Sequence, residues 1–364
     1  MNHYGGKAGT PMKERAGIVD VLKGIGMLSV IIGHSVTVLP WSGLQLGRFV
    51  YLYQIMVFIF AAGFLADEKR EPALFVGKRV YGLWKPFVLY NLGFVLLHNF
   101  FSSVSVIIAK PYTADRMLAQ ALKGIVFQTD ESMLGAFWFL PFLLVTAVLL
   151  RVLFLGQEKV SRLWGGKAAS VALAAVVLLA SAAAGLWLHR SEESLRYHLK
   201  TVCLALPVMY LGWAVKKHEK ALERWTGWPG VVLSAVLLGL LVHFTSFSMD
   251  LSHHEIENLW LFYPVTLTGM YFCLCLAKAV EKAGFLRRFF AFLGRYSLHF
   301  MALHFLAFKV LDKVVGAFRG DPAEVTVQYP CAYSLGLGYA AFAVLVISGG
   351  ILLARKACRR GRPN

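Results

Sequence analysis

Charge is what this sequence has least of. Only 16% of its 364 residues are Asp, Glu, Lys or Arg, and no more than 20 are acidic. A soluble domain carries about 25% charged residues, so a water-facing surface over the whole chain is excluded. Cysteine is scarce too, with five in the chain. Cys203, Cys273 and Cys275 fall inside apolar runs, Cys358 in the C-terminal tail and Cys331 in a loop. That distribution argues against a disulfide framework, and a C-x-C on one helix without nearby partners is weak evidence for a metal. The chain shows no convincing internal repeat, no separate soluble domain and no Ser-His-Asp or G-x-S-x-G pattern. No cleavable signal peptide is expected either. The first apolar run exceeds a signal h-region and lacks an A-x-A-like exit, so it reads as an uncleaved span.

Long apolar runs are what the chain has in abundance. Hydrophobic residues make up 58% of it, and the mean hydropathy is +0.61. The runs lie at 18–39, 48–66, 83–108, 135–154, 168–188, 201–215, 229–247, 259–280, 296–316 and 333–354. Each approaches the roughly 17–25 residues that cross a bilayer as a helix. The expected class is therefore all-α: a polytopic membrane protein with about ten transmembrane helices. The expected parts are a tail over 1–17, a membrane domain over 18–354 and a basic tail over 355–364.

Basic residues give the orientation. Most of the 37 Lys and Arg fall in alternate segments, such as Lys69, Arg70, Lys78, Arg79 and Lys85, or Lys278, Lys282, Arg287, Arg288 and Arg295. The positive-inside bias then predicts that both termini are cytoplasmic, in a multi-pass protein of the cell (inner) membrane. The stretches 109–134 and 317–332 read as outer loops. The net charge of +17 follows from this topology and from contact with anionic membrane lipids, so no nucleic-acid partner is expected.

Against that background the run Ile18 to Leu39 stands apart. It holds Asp20, Lys23 and His34, and ionisable groups at membrane depth are costly and mark functional sites. Lys23 and His34 are about three helical turns apart on one face, roughly 16 Å along the axis. Asp20 is spaced to pair with Lys23. A membrane enzyme and a transporter would both need such a stripe.

The pattern D-x-x-K-G-I-G-x-x-x-V-x-x-G-H, from Asp20 to His34, resembles the first span of the acyltransferase-3 family of integral-membrane O-acyltransferases. Lys23 in place of the commoner Arg resembles the branch of fucose 4-O-acetylases. Four further stretches are similar to family signatures in the expected order. They are Tyr51 to Leu65 with Ala62 where Ser is frequent, the segment containing Arg79, Gly135 to Leu144 around Trp138, and Gly294 to Phe305 with His304 in place. Departures are Gly82 at the second basic position of an R-x-x-R element, Leu143 where other branches carry Glu, and Met301 in place of Tyr.

The resemblance implies an acyl-CoA-dependent O-acyltransferase, with acetyl-CoA or another acyl-CoA as donor substrate and no permanently bound cofactor. Its acceptor would be a cell-surface glycan or a lipid-linked sugar. His34 is then the candidate catalytic base, and Lys23, Lys78 and Arg79 the candidates to hold the donor's phosphates. Asp20, Trp138 and His304 are supporting candidates. Each has a plainer reading: Asp20 as Lys23's counter-ion, Trp138 as core or interfacial anchor, His304 as packing, and Lys78 and Arg79 as positive-inside anchors. Gly24, Gly26 and Gly33 suit close helix approach or a pantetheine arm. Asp312 reads as part of a local charge cluster. His253, His254, Glu255 and Glu257 could meet a glycan or form a solvated rim. A transporter or flippase of a polar or glycan-linked solute is the competing reading, and an inactive sensor of the same fold is a third.

Overall fold

The computed structural model describes residues 10–36, 45–107, 109–164, 166–191, 196–219, 223–319, 330 and 335–360. Cys331, most of 317–332, Lys7 and positions 37–39 lie outside the described residues. The protein is built from helices: α1 Thr10–Ser35, α2 Leu46–Tyr51, α3 Met56–Phe64, α4 Pro72–Ser103 and α5 Ala114–Ile125. A 3₁₀ segment, Ser132–Trp138, leads into α6 Phe139–Leu163. Then come α7 Lys167–Leu188, α8 Leu199–Lys217, α9 Trp228–Phe244, a two-residue hairpin (β1 Met249–Asp250, β2 Glu255–Ile256), α10 Phe262–Glu281 and α11 Gly284–Arg295. The bundle ends with α12 Ser297–Arg319 and α13 Gly336–Arg360.

Among the described residues, eight helices are long and apolar enough to cross a membrane. Two of the ten expected spans differ for physical reasons. Helix α9 is apolar but has only 17 residues, and α12 carries Lys309, Asp312 and Lys313. Two of these charges are compensated inside the protein, while Lys313 is exposed: Lys309 Nζ lies 2.8 Å from Asp312, and Tyr339 of α13 donates to the same carboxylate at 2.6 Å. Exposed Trp164 and Trp187 flank α7 at its two ends. An indole favours the membrane–water interface, so the pair brackets a span of about 30 Å. Gly17 near the start of α1 and Arg355 near the end of α13 line one groove, so these two ends of the bundle share a face.

Other departures from the sequence reading are local. The second span is broken, because residues 52–55 form a turn between α2 and α3. The stretch 109–134, expected as loop, contains α5, whose first turn is capped by the Thr113 hydroxyl. Helix α5 docks on α4 through Asn91, which donates to the Gln120 carbonyl at 2.9 Å.

Two apolar cores fill the bundle, and α1 belongs to both. Ile18 to Ile25 pack with α3, α8 and α10, while Met27, Val30 and Ile31 pack with α12, α13 and the 3₁₀ segment. Close approach of α1 to α11 depends on two glycines. A Cβ on Gly24 would sit 1.9 Å from the Phe290 carbonyl oxygen, and one on Gly294 would sit 1.7 Å from that of Asp20. Helices α3 and α8 cross in the same way, with Gly63 against Met209 and Gly212 against Phe60. Membrane helices gain packing energy this way because lipid provides no hydrophobic drive between them.

Candidate active site

A cavity of about 470 Å³ runs along the inner stripe of α1, lined by Lys23, Met27, Val30 and His34. The 4-3-4 spacing of these residues keeps all of them on one face of a 3.6-residue helix. The opposite walls come from α3, α4, the 3₁₀ segment, the hairpin and α12. Ile55, Phe58 and Met301 line it and touch both cores, so the cavity follows the seam between them.

One end is cationic. Lys23 and Arg79 line it, and Lys23 is held by Asp20 at 3.1 Å. Asp20 also faces Arg295 of α11 at 3.7 Å, so its carboxylate ties α11 to α1 beside the Gly24–Gly294 crossing. Arg79 rests over the Phe75 ring at 5.5 Å and donates to the Ala62 carbonyl at 3.4 Å. Arg151 steadies the segment between α3 and α4 by donating to the Glu68 and Arg70 carbonyls at 3.0 and 2.7 Å. Lys78 is not brought to this cavity: it is exposed and lines a separate shallow groove with Arg70 and Leu74. Neighbouring residues on a helix point about 100° apart, so only one of Lys78 and Arg79 can face inward.

His34 pairs with His304. Their Nδ1 and Nε2 atoms are 2.9 Å apart, and the Phe305 ring stacks on His34 at 4.9 Å. The hydrogen-bond partners assign the tautomers. His304 Nδ1 lies 3.0 Å from the Phe300 and Met301 carbonyl oxygens, which can only accept, so that nitrogen carries the proton. Nε2 of a neutral His304 is then the acceptor, and Nδ1 of His34 must donate to it. The lone pair of neutral His34 is thereby fixed on Nε2. Should Nε2 take a proton, the Nδ1–H still has its acceptor.

The other end is acidic. Asp250 of the hairpin is the one acidic residue lining the cavity among the described residues, and it lies within electrostatic reach of His34. Burial works against its charge, but hydrogen bonds from Ser252 and His253 outweigh that and hold the carboxyl below the usual carboxylate range. The Ser252 backbone N–H and hydroxyl donate at 2.9 and 2.5 Å, and His253 lies at 3.0 Å. Trp138 and His198 complete this mouth, their rings 4.5 Å apart. The segment leading into the hairpin is clamped by Arg48, which donates to the Val242, Thr245 and Phe247 carbonyls. The 3₁₀ segment that presents Trp138 is fixed at its start by the buried Glu131–His98 pair at 2.9 Å. Burial, the largest influence there, raises Glu131 despite the His98 contact.

The model of the acyltransferase-3 family, an acyltransferase domain, matches residues 17–355, nearly the whole chain. The chain belongs to the acyltransferase-3 family. Among curated proteins and among solved structures, none matches the chain. In this acyltransferase-3 protein Gly24, Gly26 and Gly33 all serve packing, against Phe290, Val57 and Gln54 respectively. Leu143 and Met301, the departures noted in sequence, both line the cavity. Gly82 has open space around it. Asp250, Ser252 and His198 escaped the sequence reading. The only local signal was the D-x-S spacing of a turn in which Asp accepts from the backbone two residues on.

Proposed function

We propose that the protein transfers an acyl group, an acetyl in the simplest case, from cytoplasmic acyl-CoA to a hydroxyl of a cell-surface glycan or its lipid-linked precursor, within the cell membrane. The observation that carries this reading is the order of groups along one cavity: two cations, then a histidine with its lone pair fixed on Nε2, then a carboxylate. Lys23 and Arg79 suit the donor's phosphates, which pair with cations at a membrane edge. Their end is the cytoplasmic one in this reading, in line with the basic loops.

His34 Nε2 takes the proton of the acceptor hydroxyl as its oxygen attacks the thioester carbonyl. The C–S bond of the resulting tetrahedral species then breaks, and the departing thiolate receives the proton from His34. His304 does not touch the reacting atoms; it positions His34 and accepts from the Nδ1–H throughout. The reaction needs no nucleophilic residue and proceeds by direct transfer.

The test is turnover of acetyl-CoA by the purified protein in lipid nanodiscs. His34→Ala should lower acetyl-CoA hydrolysis and transfer by about a thousandfold. Uptake of a polar solute that survives His34→Ala, with no acetyl-CoA turnover by the wild type, would replace this reading with a transporter.

A further inference from the structure

We infer that Trp138, His198 and Asp250 form the acceptor subsite, and that it takes an uncharged sugar ring and rejects sugars bearing carboxylate or phosphate. The inference rests on the acyltransferase reading and says which acceptors that reaction uses.

Three observations converge on this mouth. The first is charge. Among the described residues the cavity has its cations at one end and its one acidic residue at the other, so an anionic group entering beside Asp250 meets a carboxylate in a partly desolvated wall. The same field favours phosphates at Lys23 and Arg79. Asp250 has acceptor capacity beyond its bonds to Ser252 and His253, and a carboxylate oxygen accepts readily from hydroxyls. The second is an unmet polar group. His198 Nδ1 is buried and has no hydrogen-bond partner among the described residues. Buried nitrogens of this kind ordinarily find a partner, and a sugar hydroxyl can both donate and accept. The third is backbone strain. Tyr197 and His198 adopt left-handed φ values of +54° and +56°, which non-glycine residues hold only where the surroundings enforce it, commonly at binding sites. The Trp138 indole, against which His198 packs, supplies an apolar wall for the C–H face of a ring.

The placement fits the chemistry. Asp250 and His34 line the same cavity, so a ring held at this mouth presents hydroxyls toward the base, while the donor's phosphates stay at the opposite end.

The experiment measures acetyl transfer from acetyl-CoA to methyl glycosides of neutral hexoses and to methyl β-D-glucuronide, with the protein in nanodiscs. The expected result is a preference of at least tenfold in kcat/KM for a neutral glycoside over the glucuronide. Asp250→Asn should raise the acceptor KM at least fivefold with little change in kcat or in the acetyl-CoA KM. Asp250→Lys should narrow or reverse the preference. His198→Ala should raise the acceptor KM as well, which keeps the test open if the Asp250 variants melt early. Equal use of glucuronide overturns the inference, as does a fall in kcat at constant acceptor KM in Asp250→Asn, since Asp250 would then act on His34 alone. If no glycoside is acetylated while His34-dependent acetyl-CoA hydrolysis persists, the subsite is refuted and the acyltransferase reading stands. If that hydrolysis is itself missing, both fall.

Discussion

The two ends of the cavity are made from different kinds of chain. The Lys23–Arg79 end is set by helices crossing at backbone contact, where Gly24 and Gly294 leave no room for a side chain. The Asp250 end is set by a short hairpin and a 3₁₀ segment, held from outside by Arg48 and by the buried His98–Glu131 pair. In the proposed reaction a rigid crossing suits a donor whose phosphates and pantetheine arm are the same in every acyl-CoA. A hairpin held by a few hydrogen bonds can change its residues without disturbing the bundle, which in that reaction suits an end that must match one acceptor. His34 and His304 sit where the two constructions meet.

The largest effect should therefore come from the joint itself. His34→Ala should lower turnover by about a thousandfold, the usual scale for a positioned general base, without altering donor affinity at the cationic end. His304→Ala should cost about 10- to 100-fold in kcat, because His34 loses the acceptor that fixes its tautomer. His304→Gln offers a side-chain oxygen in the same region and should recover part of the loss. Equal activity of the Ala and Gln variants would assign His304 to packing alone. Single-turnover kinetics with acetyl-CoA distinguish these outcomes.

The cationic half was legible in the sequence because its logic is local. Lys23 and His34 share a helical face by spacing alone, and an ionisable group in a long apolar run is informative wherever it occurs. The His34–His304 contact joins positions 270 residues apart, and spacing along the chain carries no trace of it. Helix α5 reads as loop because the stretch 109–134 has no long apolar run. Its apolar residues Leu118, Leu122 and Ile125 remain exposed in the fold. The turn at 52–55 is hidden for the opposite reason, since Tyr51 to Leu65 is apolar but for Gln54 and reads as one helix. Lys78 and Arg79 both read in sequence as basic residues at the start of the third span, and the helix sends them to different surfaces. Asp250 became visible only when tertiary packing turned its hairpin toward α1.

A second way to probe the difference is to disturb the crossing. Gly24→Val puts methyl groups against the Phe290 backbone, which cannot yield as a side chain can. The expected cost is about 1–3 kcal/mol or more, read as a lower melting temperature in detergent. Gly82→Val, with no atom within 4 Å of its Cβ, should leave that temperature unchanged. Within the same end, Lys23→Ala and Arg79→Ala should each raise the acetyl-CoA KM about tenfold, the scale of one charge-assisted phosphate contact. Lys78→Ala should change it less than twofold, since Lys78 lies outside the cavity. Turnover of acetyl-pantetheine, which has no phosphates, should be insensitive to all three. A phosphate-independent loss in Lys23→Ala would mean that Lys23 serves the fold through Asp20 instead.

The smallest effect belongs to the acidic end and is read through pH. Asp250 is held below its unfolded value, near 4, by Ser252 and His253, whose hydrogen bonds outweigh the opposing influence of burial. A carboxyl lowered on folding contributes stability above its unfolded pKa, and that contribution is lost as pH falls through the folded value. The hairpin should therefore loosen in acid before the bundle does. Hydrogen exchange of the 249–256 amides should rise on going below about pH 4, relative to the intrinsic rate, while protection of α1 and α11 holds. In Asp250→Asn the hairpin should exchange faster at neutral pH and show no further acid dependence, because the group that titrates is gone. If the hairpin and the α1–α11 crossing lose protection together, the two ends form one cooperative unit and the division drawn between them fails.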